Sequence, residues 1–267
     1  MPWPDGVDQV RGLFPATADR AYFNTAAVGL ASRPMSQRLQ QLVDEWTSMG
    51  YDFTGGERDA DEARSMVARL IGASAADVAL ISSVSSTAGL VAAQFGPAEA
   101  GRNVVIGERE YSSNHFPWRQ LARLGYDVRQ VPFRNGGMEP EDVARLVDSG
   151  TGLVAFSGVQ TATGHRSDIA AISGIARQVG AIVFVDGSQL VGALNVADDL
   201  AAVDVLVVPD HKFLLHAGRG MGYCYLAPSV QRTFAPINAG WRAGAVPFES
   251  FFGPQMNLSP TASLKAT

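Results

Sequence analysis

The sequence has a single cysteine, Cys224, and only four histidines. One cysteine excludes an internal disulfide framework and fits a reducing compartment, so we expect a cytoplasmic protein. Metal sites need clusters of cysteine, histidine or carboxylate ligands. The histidines are scattered at positions 115, 165, 211 and 216, so the sequence predicts no metal site.

Long hydrophobic runs are also lacking. The longest apolar stretches, such as AIVFV and DVLVVP, have five or six residues, whereas a transmembrane helix needs about 20. The N-terminal stretch MPWPDGVDQVRGLFP carries acids and lacks the basic-then-apolar layout of a signal peptide. The formal net charge of -5 argues against nucleic acid as a partner. We therefore expect neither a membrane nor a nucleic acid as a partner.

The sequence does contain an alternation of short apolar runs and amphipathic stretches. The predicted strands lie at 78–83, 103–110, 128–133, 152–158, 181–187, 203–209 and 221–226. Stretches between them, such as DIAAISGIARQVG, have apolar residues at helical spacing. Apolar strands alternating with helices indicate a parallel sheet covered on both faces. The pattern predicts an α/β fold: a three-layer sandwich with a mostly parallel seven-stranded sheet.

Candidate site residues follow three of these strands, where α/β sheets bind their ligands. Asp186 ends one apolar run and either caps a helix or offers a fixed anion to a ligand cation. Lys212 follows the next run and is either a solvated lysine or a reactive amine. Ser85, Ser86 and Thr87 follow VALIS and either cap a helix or hold a phosphate at its N-terminus.

Together, these three signals match the requirements of pyridoxal 5'-phosphate. A lysine forms a Schiff base with this cofactor, an acid keeps its pyridine nitrogen protonated, and a hydroxyl-rich helix N-terminus holds its phosphate. The protonated ring accepts electrons from the α-carbon of the substrate. The strand ends therefore predict pyridoxal phosphate as the cofactor.

Three segments carry a resemblance to a known family. VDGSQLVGAL (185–194) resembles a strand-Asp-x-x-Gln segment, and HKFLLHAGRGMGYCYL (211–226) resembles a His-Lys segment followed by a glycine loop. EYSSNHFPW (110–118) resembles a segment bearing the ring that stacks on the cofactor. Their order and spacing resemble the fold-type I pyridoxal-phosphate enzymes, specifically the class V aminotransferase and cysteine desulfurase group. The resemblance runs from AYFNTAAVGLASRP (21–34) to about residue 260.

The resemblance has implications for the organisation of the whole protein. It implies one pyridoxal-phosphate-dependent domain over residues 1–267, with an N-terminal segment at 1–50 and a large cofactor-binding domain at about 51–250. The chain ends at SLKAT, so the small C-terminal domain, which usually carries the arginine that clamps the substrate carboxylate, is expected to be absent. Since relatives are mostly homodimers with sites at the interface, we expect a homodimer.

The resemblance also implies roles for individual residues. Lys212 would form the internal aldimine, the Schiff base with the cofactor, and Asp186 would pair with the pyridine nitrogen. Gln189 would hydrogen-bond the phenolic oxygen of the cofactor. The phosphate-binding residues would be Ser85 and Ser86, with Thr87 as an extra donor.

Four further residues have an implied role beside an ordinary structural one. Tyr111 would stack on the cofactor ring or pack in the core, since stacking needs only a flat π-face. His211 neighbours the lysine and would also contact phosphate. Asn24 would reach the substrate or cap a turn. Thr161 would face the cofactor or substrate, or be a plain loop hydroxyl.

The sequence departs from the desulfurase pattern at two residues. Pro209 stands where a phosphate-binding serine is expected, and proline has neither a hydroxyl nor an amide hydrogen. Cys224 lies in the apolar run GYCYL, which indicates a core position rather than the desulfurase nucleophile. The sequence therefore argues against a persulfide mechanism.

The leading functional hypothesis is a pyridoxal-phosphate-dependent enzyme acting on an amino acid or amine, most simply a class V aminotransferase. Lys212 would shuttle the α-proton of the substrate. An epimerase or a carbon–sulfur lyase of the same family is the alternative, and so is a catalytically silent scaffold that dimerises or binds a partner. A Rossmann dehydrogenase is disfavoured because no G-x-G-x-x-G follows the first strand.

Overall fold

The computed structural model describes residues 6–216, 218–240 and 243–244. Its strands are β1 (Val78–Ile81), β2 (Asn103–Gly107), β3 (Asp127–Val131), β4 (Thr151–Ser157), β5 (Ile182–Asp186), β6 (Val205–Pro209) and β7 (Gly222–Leu226). These seven strands form one sheet in the order β1-β7-β6-β5-β4-β2-β3. The pairs within β3-β2-β4-β5-β6 are parallel, and β7 is antiparallel to both of its neighbours. The predicted mostly parallel seven-stranded sheet is confirmed.

The helices are α1 (Val7–Gly12), α2 (Arg33–Met49), α3 (Phe53–Ile71), α4 (Val84–Ala92), α5 (Phe116–Arg119), α6 (Pro140–Leu146), α7 (Ile169–Gln178) and α8 (Pro228–Gln231). Several begin at a side-chain cap, because an oxygen there satisfies an otherwise free amide hydrogen. Asp52 accepts from the amide of Gly55 at the start of α3, and Asp168 accepts from the amide of Ala171 at the start of α7.

Two apolar clusters, one on each face of the sheet, make the three layers. Along β5, Val183 and Val185 belong to the cluster that includes α3, α6 and α7. Phe184 points to the other cluster, which includes α4 and the indole of Trp118 at a ring-centroid distance of 4.8 Å. Burial on both faces explains the near-continuous apolar strands, since burying each large side chain is worth roughly 1.5–3 kcal/mol. The predicted three-layer sandwich is confirmed.

The strand ends differ from the predicted ones by a few residues. The predicted strand 103–110 ends at Gly107, and Glu110 turns inward after it. Helix α4 begins at Val84, earlier than the predicted serines, because the hydroxyl of Ser83 accepts a hydrogen bond from the amide of Ser86 at 3.1 Å. This shift places different hydroxyls at the edge of the sheet.

Within residues 6–216, 218–240 and 243–244, no helix is long and apolar enough to cross a bilayer. The same part of the chain contains no group of three histidine, cysteine or carboxylate side chains placed to hold a metal ion.

Candidate active site

A cavity of about 580 Å³ lies beyond the carboxyl ends of β5 and β6. Its size is within the usual range for small-molecule sites, roughly 300–1,000 Å³. Among the residues that line it are the last residues of these two strands, Asp186 and Pro209, and the adjacent His211 and Lys212. The two strongest sequence candidates, Lys212 and Asp186, therefore face the same cavity.

The Lys212 side chain is largely buried and lies beside an aromatic ring. Its Nζ is 5.5 Å from the ring centroid of Tyr111, within the range of a cation–π contact. Burial lowers the pKa of the Lys212 amine; the nearby charge of Asp186 opposes this effect and that of Arg219 adds to it. A lowered pKa increases the fraction of neutral amine at neutral pH, which is the nucleophilic form.

Two glycines fix the backbone that carries Lys212. The amide of Gly29 donates to the carbonyl of His211 at 2.6 Å, and a Cβ on Gly29 would lie 2.5 Å from the carbonyl oxygen of Lys212. On another side, a Cβ on Gly192 would lie 2.6 Å from the carbonyl oxygen of Phe213. Gly192 also has a positive φ of +90°. Only glycine allows this close approach, so the N-terminal segment and the turn after β5 both position the lysine loop.

Asp186 is a buried carboxylate at the last position of β5. Its Oδ1 accepts a hydrogen bond from the amide of Ser188 at 2.8 Å, which closes a turn; no α-helix of the described residues begins there. Burial raises the pKa of Asp186, whereas the hydrogen bonds from Ser188 and the charge of Lys212 lower it. A nearby cation stabilises a buried carboxylate of this kind, because it compensates the lost hydration of the negative charge.

The hydroxyl groups at the start of α4 form a cluster. The Oγ of Ser83 lies 3.2 Å from that of Ser85 and 3.0 Å from that of Ser86, which is also 2.9 Å from the Oγ of Ser82. Ser82 and Ser83 line the cavity, and Ser85 lines a neighbouring depression. Thr87 is fully buried and donates to the carbonyl of Ser83 at 3.1 Å. The serines that line the cavity, Ser82 and Ser83, thus come about one turn before the predicted Ser85 and Ser86.

The remaining predicted residues take different positions around the cavity. Tyr111, half exposed, lines it together with Asn24 and Thr161. Gln189 is buried and is not among the lining residues. Its Nε2 donates to the carbonyl of Ala26 at 3.0 Å and lies 3.4 Å from Oγ1 of Thr161. Gln189 thus ties the N-terminal segment to the site.

His211 lines the cavity, and its Nδ1 is buried with no hydrogen-bond partner among the described residues. Burial lowers the pKa of His211, and the neighbouring charges of Lys212 and Arg219 lower it further. Pro209 lies at the cavity wall, where it offers no hydrogen-bond donor.

Sequence reasoning missed a buried carboxylate, Glu110, directly before Tyr111. Glu110 accepts hydrogen bonds from the amide and hydroxyl of Ser157, from Gln160 at 2.6 Å and from Asn114 at 3.2 Å. Burial raises the pKa of Glu110, the hydrogen bonds from Ser157 lower it, and the charge of Asp186 raises it. An acid at the end of an apolar strand was the available signal, but three of its four donors come from the distant residues Ser157 and Gln160.

Three further polar lining residues also escaped sequence reasoning: Ser113, Ser188 and Arg219. The two serines lie beside residues that were predicted, Tyr111 and Asp186. Arg219 adds a second positive charge to a cavity that already contains Lys212. With these residues, the site has the composition expected for an anionic ligand.

Cys224 lies in β7 as a free thiol and is completely buried. Burial raises the pKa of this thiol, so it stays protonated and unreactive at neutral pH. It packs within the cluster on the α4 face of the sheet, in agreement with the predicted core position.

Comparisons with known proteins agree with this arrangement. The sequence model of the family described as "Aminotransferase class-V" matches residues 22–247. A probable cysteine desulfurase of Methanothermobacter thermautotrophicus is 30% identical over 239 residues, which cover 87% of this chain and 59% of the relative. The chain thus spans less than two thirds of the length of this curated relative.

Two solved structures share the fold. The apo structure of a cysteine desulfurase from Thermococcus onnurineus NA1 has a TM-score of 0.82 at 24% identity, over 100% of this chain and 68% of that chain. A mutant of C-DES, with glycine covalently linked to its PLP cofactor, has a TM-score of 0.82 at 18% identity, over 96% of this chain and 68% of that chain. The family model covers most of this sequence, and the resemblance found in its motifs is confirmed. The chain belongs to the class V aminotransferase family.

Proposed function

We propose that this chain carries the cofactor site of a pyridoxal-phosphate-dependent enzyme acting on an amino acid. The observation that supports this most directly is that Lys212 and Asp186 face one cavity, beside the ring of Tyr111 and a hydroxyl-lined helix start. A C-DES structure of the same fold has a PLP cofactor.

The residues present fit this cofactor. The amine of Lys212 would attach it, the carboxylate of Asp186 would face its ring nitrogen, and the ring of Tyr111 offers a stacking face. The start of α4, with Ser82 and Ser83, offers hydroxyls and amide groups to its phosphate. When bound, pyridoxal phosphate supplies a ring that takes up electrons from the α-carbon of an amino acid.

Lys212 has the properties of the group that transfers the proton. Burial lowers the pKa of its amine, which favours the neutral form that can take a proton from the α-carbon and return it. The glycine contacts at Gly29 and Gly192 hold the lysine backbone in place, so that Nζ works from a fixed position.

Asp186 has the complementary role of a fixed anion. Its burial makes a lone negative charge unfavourable, and a positively charged ring nitrogen would relieve that penalty. The hydrogen bond from Ser188 orients the carboxylate without neutralising it.

Transamination is the first candidate reaction, and cleavage of a carbon–sulfur bond is the second. The second is favoured by the relatives, which are named cysteine desulfurases. However, Cys224 is buried with a raised pKa, so this chain offers no reactive thiol of its own to receive sulfur. Cleavage of a carbon–sulfur bond by the residues of this chain alone would therefore be an elimination that releases sulfide. Two product assays separate the reactions. Release of sulfide from cysteine would indicate cleavage of the carbon–sulfur bond, whereas formation of a keto acid together with an aminated co-substrate would indicate transamination.

The composition of the chain allows a clean test, since its two lysines are Lys212 and Lys265. The purified chain is incubated with pyridoxal phosphate, reduced with borohydride and digested, and the modified peptide is identified by mass. We expect the adduct on Lys212, its loss in Lys212→Ala and its retention in the control Lys265→Arg. Equal modification of both lysines and the N-terminus, or no adduct, would contradict the proposal.

Three further expectations stay predictions: the homodimer, the cytoplasmic location and an amino acid or amine as substrate. A silent scaffold is the competing function, and the same experiment separates it, because a scaffold would carry no adduct on Lys212.

A further inference from the structure

Asp210 is a buried carboxylate for which the proposed chemistry has no use. It lies between Pro209 and His211 and is only 1% exposed. Neither of its oxygens accepts a side-chain hydrogen bond among the described residues. The nearest ring nitrogens are Nδ1 of His216, 3.1 Å from Oδ2, and Nδ1 of His211, 3.9 Å from Oδ1. A buried carboxylate with few hydrogen bonds is unfavourable unless a neighbouring group compensates it.

Asp210 and His216 are the two ends of the loop that carries Lys212. The amide of His216 donates to the carbonyl of Asp210 at 3.0 Å, so the backbone already closes the loop at this point. Inside the loop, the amide of Leu215 donates to the carbonyl of Lys212 at 3.0 Å, and Leu215 has a positive φ of 59°. A leucine in this region is strained, so the loop needs contacts that hold it in this shape.

The titratable and charged groups around Asp210 and His216 come from three elements. Their own loop contributes His211 and Lys212, the following loop contributes Arg219, and β7 contributes Tyr223, whose pKa is raised by burial and by the charge of Asp210. Burial raises the pKa of Asp210, and the charge of His216 lowers it. Hydrogen bonds from the backbone amides of Asp210 and His211 lower it as well.

We propose that the contact between His216 and Asp210 closes the loop 210–216 and thereby positions Lys212 in the cavity. Neither residue is among those that line the cavity, so both act through Lys212 as positioning residues. The proposal rests on the proposed function only in treating Lys212 as the reactive amine.

The test measures the amine itself, without cofactor. In a Lys265→Arg background, the lysine amine is reductively methylated with ¹³C-formaldehyde and cyanoborohydride, and the pKa of Lys212 is read from the NMR shift as a function of pH. Opening the loop would expose Nζ to water, so Asp210→Asn and His216→Gln should both raise this pKa by at least about 0.5 unit. His216→Arg keeps a nitrogen donor that can reach Asp210 and should retain the wild-type value. The matched control, His165→Gln, changes a histidine outside the loop and should also retain it.

The direction of the Asp210→Asn effect separates positioning from simple electrostatics. Removal of a nearby anion, acting through charge alone, would lower the pKa of Lys212, whereas an opened loop raises it. A lowered or unchanged pKa in Asp210→Asn, with cooperative thermal unfolding retained, would overturn the proposal. If Asp210→Asn does not fold, equal values in His216→Gln and His216→Arg would overturn it. Because no cofactor is used, these results stand whether or not Lys212 forms an adduct with pyridoxal phosphate.

Discussion

Two regions of the molecule break the usual rules of burial in opposite ways: a strand-end rim and the N-terminal helix α2. The strand-end rim consists of Asp186, Asp210, His211 and Lys212. The rim buries ionisable groups, two of them carboxylates that are 3% and 1% exposed. Helix α2 has no buried residue in the described structure, although it carries large apolar side chains: Trp46 is 62% exposed and Met49 is 80% exposed.

The two regions differ in what holds them in place. The rim is held by close backbone contacts at Gly29 and Gly192 and by neighbouring strands. The polar contacts of α2 include surface ion pairs, such as Arg38 with Glu45 at 3.2 Å, which contribute little to stability. Burial shifts the pKa of every ionisable group of the rim, upwards for the two carboxylates and downwards for His211 and Lys212.

The largest effect is expected at Gly192. Gly192→Ala would place a Cβ 2.6 Å from the carbonyl oxygen of Phe213 at a φ of +90°. Backbone strain and overpacking together should destabilise the protein by about 3 kcal/mol and displace the Lys212 loop. Denaturant unfolding and borohydride-trapped cofactor on Lys212 check both effects. Gly180→Ala is the control, because Gly180 has a φ of +71° in open space and should lose only about 1 kcal/mol. Equal losses in both variants would show that the contact with Phe213 does not matter.

A somewhat smaller effect is expected at Glu110. Glu110→Ala leaves the donors of Ser157, Gln160 and Asn114 without their acceptor and should cost about 2 kcal/mol in unfolding free energy. Glu108→Ala is a control in the same segment, because the partly exposed Glu108 accepts one hydrogen bond from the amide of Phe133, worth about 1 kcal/mol. A smaller loss in Glu110→Ala than in Glu108→Ala would contradict a structural role for the buried network.

Burial also decides how much of the fold and of the site could be predicted from the sequence. Apolar runs identified six of the seven strands, because strands buried on both faces need apolar residues at nearly every position. The exception is the edge strand β3, DVRQV, which is partly exposed and carries polar residues between its valines. Lys212 and Asp186 could be placed together because the carboxyl ends of neighbouring parallel strands share one edge.

Other features depend on contacts that sequence spacing does not reveal. The hydroxyls that face the cavity depend on where α4 starts, and the cap at Ser83 moves Thr87 into the core. The pairing of Asp210 with His216 depends on the turn at Leu215, whose backbone conformation its residue type does not indicate. Rigid backbone contacts at the rim were thus the least predictable part of the site.

The burial of Lys212 in the rim should make the stability of the protein depend on pH. Its pKa in the folded protein lies below the ordinary value of 10.5, mainly because of burial, so the unfolded chain binds this proton more tightly. The resulting penalty is fully present below the folded pKa and disappears as pH rises towards 10.5, so stability increases with pH in that window. Lys212→Met removes the penalty. The variant should therefore be more stable than the wild type near neutral pH, by a margin that shrinks as pH rises. Chemical denaturation across this range checks the sign, and a margin that grows with pH would refute it.

The smallest effect is expected on α2. Trp46 is largely exposed, so Trp46→Ala removes little buried surface from the folded chain and should change its unfolding free energy by no more than about 0.5 kcal/mol. Trp118, fully buried against Phe184, is the matched control and should lose about 3–5 kcal/mol as Trp118→Ala. Both values come from urea denaturation at several protein concentrations. A loss of several kcal/mol in Trp46→Ala that depends on concentration would mean that α2 is covered by a second copy of the chain. The apolar face of α2 would then belong to an interface, and only the rim would remain an exception to the rules of burial.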